Sequence, residues 1–77
     1  MLKSDFLRLF EDMLQAEPGK LTGTEELRQV RGWDSLAVVQ YIALVDEHLQ
    51  FTLDASRIDS CRTVNDLLAL CGDRIQQ

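Results

Sequence analysis

The side chains best suited to catalysis or metal binding are few in this chain. His48 is the only histidine, and the two cysteines, Cys61 and Cys71, lie ten residues apart. Four soft ligands cannot be assembled from these three side chains, so the sequence does not predict a structural zinc site. No segment has the glycine pattern of a phosphate-binding loop or of a serine hydrolase elbow. We therefore expect no catalytic activity and no bound metal.

Two pairs of carboxylates are the remaining candidates for acid–base chemistry. Asp5 and Asp12 fall on the predicted outer side of a first helix, and Glu25 and Glu26 fall in a predicted surface loop. Solvation of an exposed face explains such residues without a site. The two cysteines are expected to act as small buried apolar side chains, at and just before the last helix.

The motif Gly32-Trp33-Asp34-Ser35-Leu36 stands where a long loop enters a predicted helix. Asp34 and Ser35 are both favourable N-cap residue types, and Gly32 precedes them at the end of the loop. Capping alone is worth about 1 kcal/mol. Taken without its surroundings, the motif predicts only that a helix begins here.

Length and charge exclude several classes of function. The chain has 77 residues and a formal net charge of −5, which is the wrong sign for binding nucleic acid or an anionic membrane. A domain of this size buries only about 60–65% of its unfolded surface, which leaves little room for a deep catalytic cleft. The longest apolar runs have five residues, so no transmembrane helix is predicted. No leader pattern opens the chain, and we expect it in the cytoplasm.

Hydrophobic periodicity predicts an all-α fold, a small four-helix bundle with three main helices, one short helix and a long first loop. Residues 1–77 are expected to form one monomeric domain. The predicted elements are a first helix that stops before Pro18, a loop over residues 20–33, a second helix from Asp34 or Ser35 to about Leu49, a short helix within residues 54–59 and a last helix from Thr63.

The second helix is apolar on two sides. Its predicted core side comprises Val38, Tyr41, Ile42, Val45 and Leu49, with Val39 at the edge. Its predicted outer side comprises Leu36, Ala37, Gln40, Ala43, Leu44 and Glu47. The outer side is too apolar to meet only water, so we expect it to bind partners. In the first helix, the predicted core stripe runs from Leu2 to Leu14, with Glu11 on the opposite, solvent-facing arc.

At this point the chain resembles the acyl and peptidyl carrier proteins, which attach 4′-phosphopantetheine to the serine of an Asp-Ser-Leu motif at a helix start. The approach to the motif, Leu27-Arg28-Gln29-Val30-Arg31-Gly32-Trp33, is similar to the family's Trp-containing variant. Val39, Ile42 and Val45 then follow at the family's core spacings. The later segments Phe51-Thr52-Leu53 and Arg62-Thr63-Val64-Asn65-Asp66-Leu67 are similar too, so the resemblance covers essentially the whole chain.

The resemblance implies that Ser35 carries 4′-phosphopantetheine, attached by a separate phosphopantetheinyl transferase. The thiol of that arm holds an acyl group as a thioester and delivers it to partner enzymes. By the same resemblance, Asp34 helps the transferase recognise the site and Leu36 contacts partners. A helix start suits the arm, because its backbone N–H groups stabilise an attached phosphodiester.

Two departures from the family pattern have consequences. The family commonly has glycine after the second helix, where this chain has Gln50. A side chain in the left-handed conformation costs on the order of 1 kcal/mol, so an altered helix end is expected. Fatty-acid members also tend to be acidic where this chain has Ala37 and Gln40, which favours partner docking by apolar contact over electrostatic steering.

We therefore interpret the chain as a free-standing acyl carrier protein of polyketide, specialised lipid or fatty-acid biosynthesis, with a dedicated pathway favoured over bulk fatty-acid synthesis. Its expected partners are the transferase, an acyl- or aminoacyl-loading ligase or transferase, and the synthase enzymes of the pathway. An aminoacyl or peptidyl carrier is one alternative, and an unmodified helical interaction module, in which Asp34 and Ser35 are only a cap, is another. A helix-turn-helix DNA-binding protein is disfavoured, because the second helix carries no lysine or arginine.

Overall fold

The computed structural model describes residues 1–76. Within them the chain forms four α-helices and no β-strand. The helices are α1 Lys3–Leu14, α2 Ser35–Leu49, α3 Ala55–Asp59 and α4 Val64–Ala69, and 3₁₀ turns cover Leu27–Gln29 and Gly72–Arg74. The predicted all-α, four-helix fold with a long first loop is confirmed. None of the helices described in residues 1–76 is long and apolar enough to cross a membrane.

One apolar core holds the helices together. Its large, fully buried side chains come from α1, α2 and the segment from α4 to the last 3₁₀ turn: Phe6, Phe10, Tyr41, Val45, Val64, Leu67 and Cys71. Phe6 and Phe10 meet the ring of Tyr41 edge to face, with centroids 6.1 and 5.5 Å apart. Such edge-to-face pairs contribute beyond their buried area, so α1 and α2 are fixed against each other along their length.

The carboxyl-terminal end of α2 follows the usual left-handed geometry. Gln50 has φ 54° and ψ 45°, and its N–H donates to the carbonyl of Asp46 at 3.1 Å. Arg74 adds a bond from Nε to the carbonyl of Leu49 at 3.2 Å and lies 4.7 Å above the ring of Phe51. The expectation of an altered helix end was therefore wrong: Gln50 adopts the conformation that glycine adopts at little cost.

The long loop is tied to the start of α4 by backbone hydrogen bonds. Leu27 N–H donates to the carbonyl of Arg62 at 2.8 Å, and Val64 N–H donates to the carbonyl of Glu25 at 3.0 Å. Asn65 N–H donates to the carbonyl of Gly23 at 2.7 Å. These bonds form a short antiparallel contact between two segments nearly forty positions apart, which periodicity within either segment does not reveal.

The core face of α1 differs from the prediction at two positions. Leu2, expected in the buried stripe, is exposed and precedes the helix. Glu11, expected on the solvent-facing arc, is only 2% exposed. Its carboxylate accepts the N–H groups of Gly19 at 3.1 Å and Leu21 at 2.8 Å. Glu11 is buried because it satisfies the backbone of the turn that follows α1.

Candidate functional site

The predicted site residues lie together at the amino-terminal end of α2. Ser35 is the first residue of the helix and is exposed. Asp34 is the N-cap: its backbone is extended, and its Oδ1 accepts the N–H of Ala37 at 2.9 Å. The carbonyl of Asp34 accepts the N–H of Val38 at 3.1 Å and closes the first turn. Of the two predicted cap residues, Asp34 therefore caps the helix, and the hydroxyl of Ser35 is not used for capping.

Trp33 fixes the approach to the site. Its half-buried ring meets Phe10 edge to face at 5.7 Å and Tyr41 at 6.1 Å. The backbone N–H of Trp33 donates to the carbonyl of Val30 at 3.2 Å. Ser35 thus stands two residues after a side chain anchored in the core. The sequence carried the signal for this role, an aromatic residue directly before a polar cap, but the ring's contacts with α1 and α2 are visible only in the fold.

Tyr41 holds α2 on α4 beneath the site. Its hydroxyl donates to the carbonyl of Leu67 at 2.9 Å and lies 3.8 Å from the Sγ of Cys71. Burial raises the pKa of Tyr41 well above its usual range, so the phenol stays protonated and remains a donor. The helix that bears Ser35 is therefore anchored on both sides, by aromatic contacts to α1 and by this hydrogen bond to α4.

The outward face of α2 is displaced from the one predicted. Ala37 is 2% exposed and belongs to the core line Ala37, Tyr41, Val45 and Leu49, which repeats every four residues. Leu44 is half-buried against the core. Val39, predicted at the core edge and at a family core spacing, is instead 61% exposed.

The outward face consists of the residues that the core line leaves in solvent: Leu36, Val39, Gln40, Ala43, Asp46 and Glu47. Leu36 is 64% exposed, and Gln40 and Glu47 are exposed as predicted. The face is uncharged over its first two turns beyond Ser35 and acidic only at its far end. No lysine or arginine occurs within α2.

Ser35 has no activating base on its own helix. His48, the only histidine, is exposed in the last turn of α2, and thirteen residues of helix place it about 20 Å from Ser35. In residues 1–76 no group of three or more histidine, cysteine or carboxylate side chains is placed to hold a metal ion. The arrangement can present a serine hydroxyl to another protein's catalytic groups, but it has no histidine placed to deprotonate that hydroxyl.

The two cysteines differ in how deeply they are buried. Cys71 is 1% exposed, as predicted, and burial raises the pKa of its thiol. Cys61 is only half-buried, although burial is also the main cause that raises its pKa. Its Sγ lies 3.5 Å from the carbonyl of Arg57. The prediction that both thiols are core side chains was therefore right for Cys71 and wrong for Cys61.

Comparison with known proteins places these observations in a family. The family model described as the phosphopantetheine attachment site matches residues 4–71, which is most of the chain and includes the whole of α2. No curated protein and no solved structure matches the chain. The match covers the helix start with Asp34 and Ser35, the aromatic anchor and the outward face alike.

Proposed function

The chain belongs to the family of phosphopantetheine-binding carrier proteins, whose members carry the group covalently on a serine and perform no catalytic step, and on that premise we propose that Ser35 is the attachment residue and that residues 1–77 act as one carrier domain. The observation that carries the proposal is the exposed Ser35 hydroxyl at the start of α2. The other aspartate–serine pair, Asp59-Ser60, lies at the end of the short helix α3, and the Ser60 hydroxyl donates to the carbonyl of Arg57.

The residues around Ser35 fit a phosphodiester. Asp34 uses one first-turn N–H group, that of Ala37, and the remaining N–H groups of the turn face the helix end with partial positive charge. That field favours an attached anion. Attachment forms a bond between the Ser35 oxygen and phosphorus, breaks the pyrophosphate link of coenzyme A and releases the nucleotide. The only histidine lies far along α2, and Asp34 is engaged as the N-cap. We therefore assign removal of the hydroxyl proton to a group of the transferase.

The chain's own part in the function is to hold the phosphopantetheine group on Ser35 in a fixed position and to present it to partner enzymes. Once attached, the group supplies a terminal thiol that holds a carried acyl group as a thioester. Trp33 and Tyr41 hold the start of α2 against the core, so the attachment point stays in one place relative to the outward face. Asp34 lies beside Ser35 as an exposed carboxylate, and we assign it a role in recognition by the transferase, through that enzyme's metal ion.

The outward face supports an acyl carrier that docks mainly through apolar contact. Leu36 and Val39 form an exposed apolar pair next to Ser35, followed by the uncharged Gln40. Asp46 and Glu47 add negative charge only at the far end of the face. A face of this kind steers partners weakly over distance and relies on shape and burial at contact. This favours a dedicated polyketide or specialised lipid pathway over bulk fatty-acid synthesis, with a loading transferase and synthase enzymes as partners.

The cargo is tested by loading. The protein is first converted with a phosphopantetheinyl transferase and coenzyme A, and intact mass confirms one attached group. The product is then offered malonyl groups by an acyl transferase and amino acids by adenylating ligases. Acyl loading supports the proposal. Loading only by amino acid ligases makes the chain an aminoacyl carrier, and failure to gain the group at all leaves the unmodified interaction module.

The docking face is tested by adding charge. Val39→Glu together with Gln40→Glu places two acids beside Leu36 without entering the core. We expect faster malonyl loading by a fatty-acid transferase and a stronger loss of rate on adding salt. The matched control is Ala69→Glu, at an exposed position of α4. If the unaltered protein is already loaded at a housekeeping carrier's rate with the same salt dependence, the dedicated pathway is ruled out.

A further inference from the structure

Arg31 lies in the turn that leads into the attachment site. The backbone N–H of Trp33 donates to the carbonyl of Val30 at 3.2 Å, and Gly32 has φ 86°. A positive φ at the third position is characteristic of a type II turn, so Arg31 occupies the second position of such a turn. The turn fixes the backbone of Arg31 four residues before Ser35, and the side chain of Arg31 is exposed.

The guanidinium of Arg31 is not paired with a carboxylate of residues 1–76. The one ion pair in that part of the chain joins Arg28 to Glu26 at 2.9 Å. Glu17 and Glu25 line the same shallow groove as Arg31, but neither forms an ion pair with it. The carboxylate of Glu25 instead accepts N–H groups of its own loop. The five N–H donors of Arg31 can therefore bind an added anion.

Attachment of phosphopantetheine brings a new negative charge to this end of α2. The phosphodiester on Ser35 lies next to the carboxylate of Asp34, in a chain whose net charge is already −5. Like charges this close repel each other, and a nearby cation offsets the repulsion. No lysine or arginine occurs in residues 32–56, so Arg31 is the base nearest to Ser35 in the sequence.

Arg31 is close enough to Ser35 for its side chain to reach a phosphodiester there. Four residues span at most about 14 Å when fully extended. The turn shortens this path, because the first and last residues of a turn lie less than about 7 Å apart. The long stem of arginine covers much of the remaining distance, and its guanidinium can donate two parallel hydrogen bonds to phosphate oxygens.

We propose that Arg31 binds the phosphodiester of the phosphopantetheine arm on Ser35. The proposal rests on the proposed function, because it requires the arm to be on that serine. The N–H groups of the first turn of α2 and the guanidinium of Arg31 then both contact the phosphate. This contact restricts the first bonds of the arm, so the arm leaves Ser35 in one preferred direction.

The test follows the phosphodiester by phosphorus NMR. A phosphopantetheinyl transferase and coenzyme A load the parent protein and the variants, and intact mass verifies each. We expect Arg31→Gln to shift the phosphorus signal, and Arg31→Lys to shift it less, because lysine keeps the charge but loses the planar fork. The Nε–H proton signal of Arg31 should also shift when the parent is loaded. Both effects should shrink on adding salt, because the pair is exposed.

The matched control is Arg28→Gln, three positions earlier in the same loop. The Arg28 side chain is 81% exposed and is already paired with Glu26, so this variant should leave the phosphorus signal unchanged. Arg57→Gln tests the next base along the chain, on α3. A shift in Arg57→Gln without one in Arg31→Gln overturns the proposal and assigns the contact to α3.

Two other results decide against the proposal. A phosphorus signal that is the same in the parent and in Arg31→Gln overturns it. If such a variant is also loaded more slowly, Arg31 contacts the transferase rather than the arm. A parent protein that gains no mass overturns the proposed function and this proposal with it, so the two failures are distinguishable.

Discussion

The buried carboxylate of Glu11 gives the most quantitative prediction for stability. It is only 2% exposed and accepts two backbone N–H groups, at 3.1 Å from Gly19 and 2.8 Å from Leu21. Hydrogen bonds to a charged group contribute about 1.5–3 kcal/mol each. Because Gly19 and Leu21 are not fully buried, water can partly replace the lost acceptor, and we take the lower value for each bond. Glu11→Ala is then expected to cost about 3 kcal/mol.

That loss is large for this domain. A chain of this length has a total stability of about 4–12 kcal/mol, and about 3 kcal/mol corresponds to a fall in Tm of roughly 15 °C. Glu11→Gln keeps one acceptor oxygen but turns its amide N–H groups toward the second donor, so about half the loss is expected. Urea and thermal unfolding followed by circular dichroism measure both variants.

The control is Asp12→Asn, which alters an exposed carboxylate one position along α1. It should change stability by no more than about 0.5 kcal/mol. If Glu11→Ala also stays within that range, or if Asp12→Asn costs as much, the assignment of Glu11 as the anchor of the turn is refuted.

Three further predictions follow from single contacts. Gln50 has a positive φ of 54° at the end of α2, so Gln50→Gly should raise the free energy of unfolding by about 1 kcal/mol in urea titrations, and a lower value would show that its side chain makes a compensating contact. The thiol of Cys61 should be alkylated under native conditions well before that of Cys71. Mass spectrometry should then show a single adduct, which is absent in Cys61→Ser. Two adducts forming at the rate seen in denaturant would show that Cys71 is not in the core. Glu25 is partly buried, which alone raises its pKa, but hydrogen bonds from Thr22 and Gly23 outweigh this and lower it. A carboxylate whose pKa is lower in the folded state stabilises the fold above its unfolded pKa, near 4.5, and this stability is lost as the pH falls through the folded pKa. Glu25→Gln should therefore lower the free energy of unfolding at neutral pH and leave it nearly unchanged in acid. An equal loss at both pH values would contradict this.

The features that could be predicted from the sequence are those set by neighbouring residues. The start of α2 follows from Asp34 and Ser35 after a glycine, and its end near Leu49 follows from the loss of periodicity. The start of α4 at Thr63 is likewise local, because its capping box with Asp66 lies within four residues. Such signals need no knowledge of the rest of the fold.

The errors occurred where distant segments decide the outcome. Glu11 looks solvent-facing on a helical wheel, and only the turn that follows α1 gives it partners. The second helix is apolar on most sides, so periodicity alone could not distinguish Ala37 from Val39; the aromatic contacts of Tyr41 with α1 fix the rotation and bury Ala37. The half-buried state of Cys61 depends in the same way on the contact between the loop and the segment before α4.

The most direct measurement of the central claim is intact mass of paired serine variants after reaction with a phosphopantetheinyl transferase and coenzyme A. Ser35→Ala should gain no mass, whereas Ser60→Ala, at the other aspartate–serine pair, should gain one phosphopantetheine group as the parent does. Helical content should be unchanged in Ser35→Ala, because Asp34 provides the N-cap of α2. Attachment to Ser35→Ala, or its loss in Ser60→Ala while Ser35 is intact, would contradict Ser35 as the residue that bears the group.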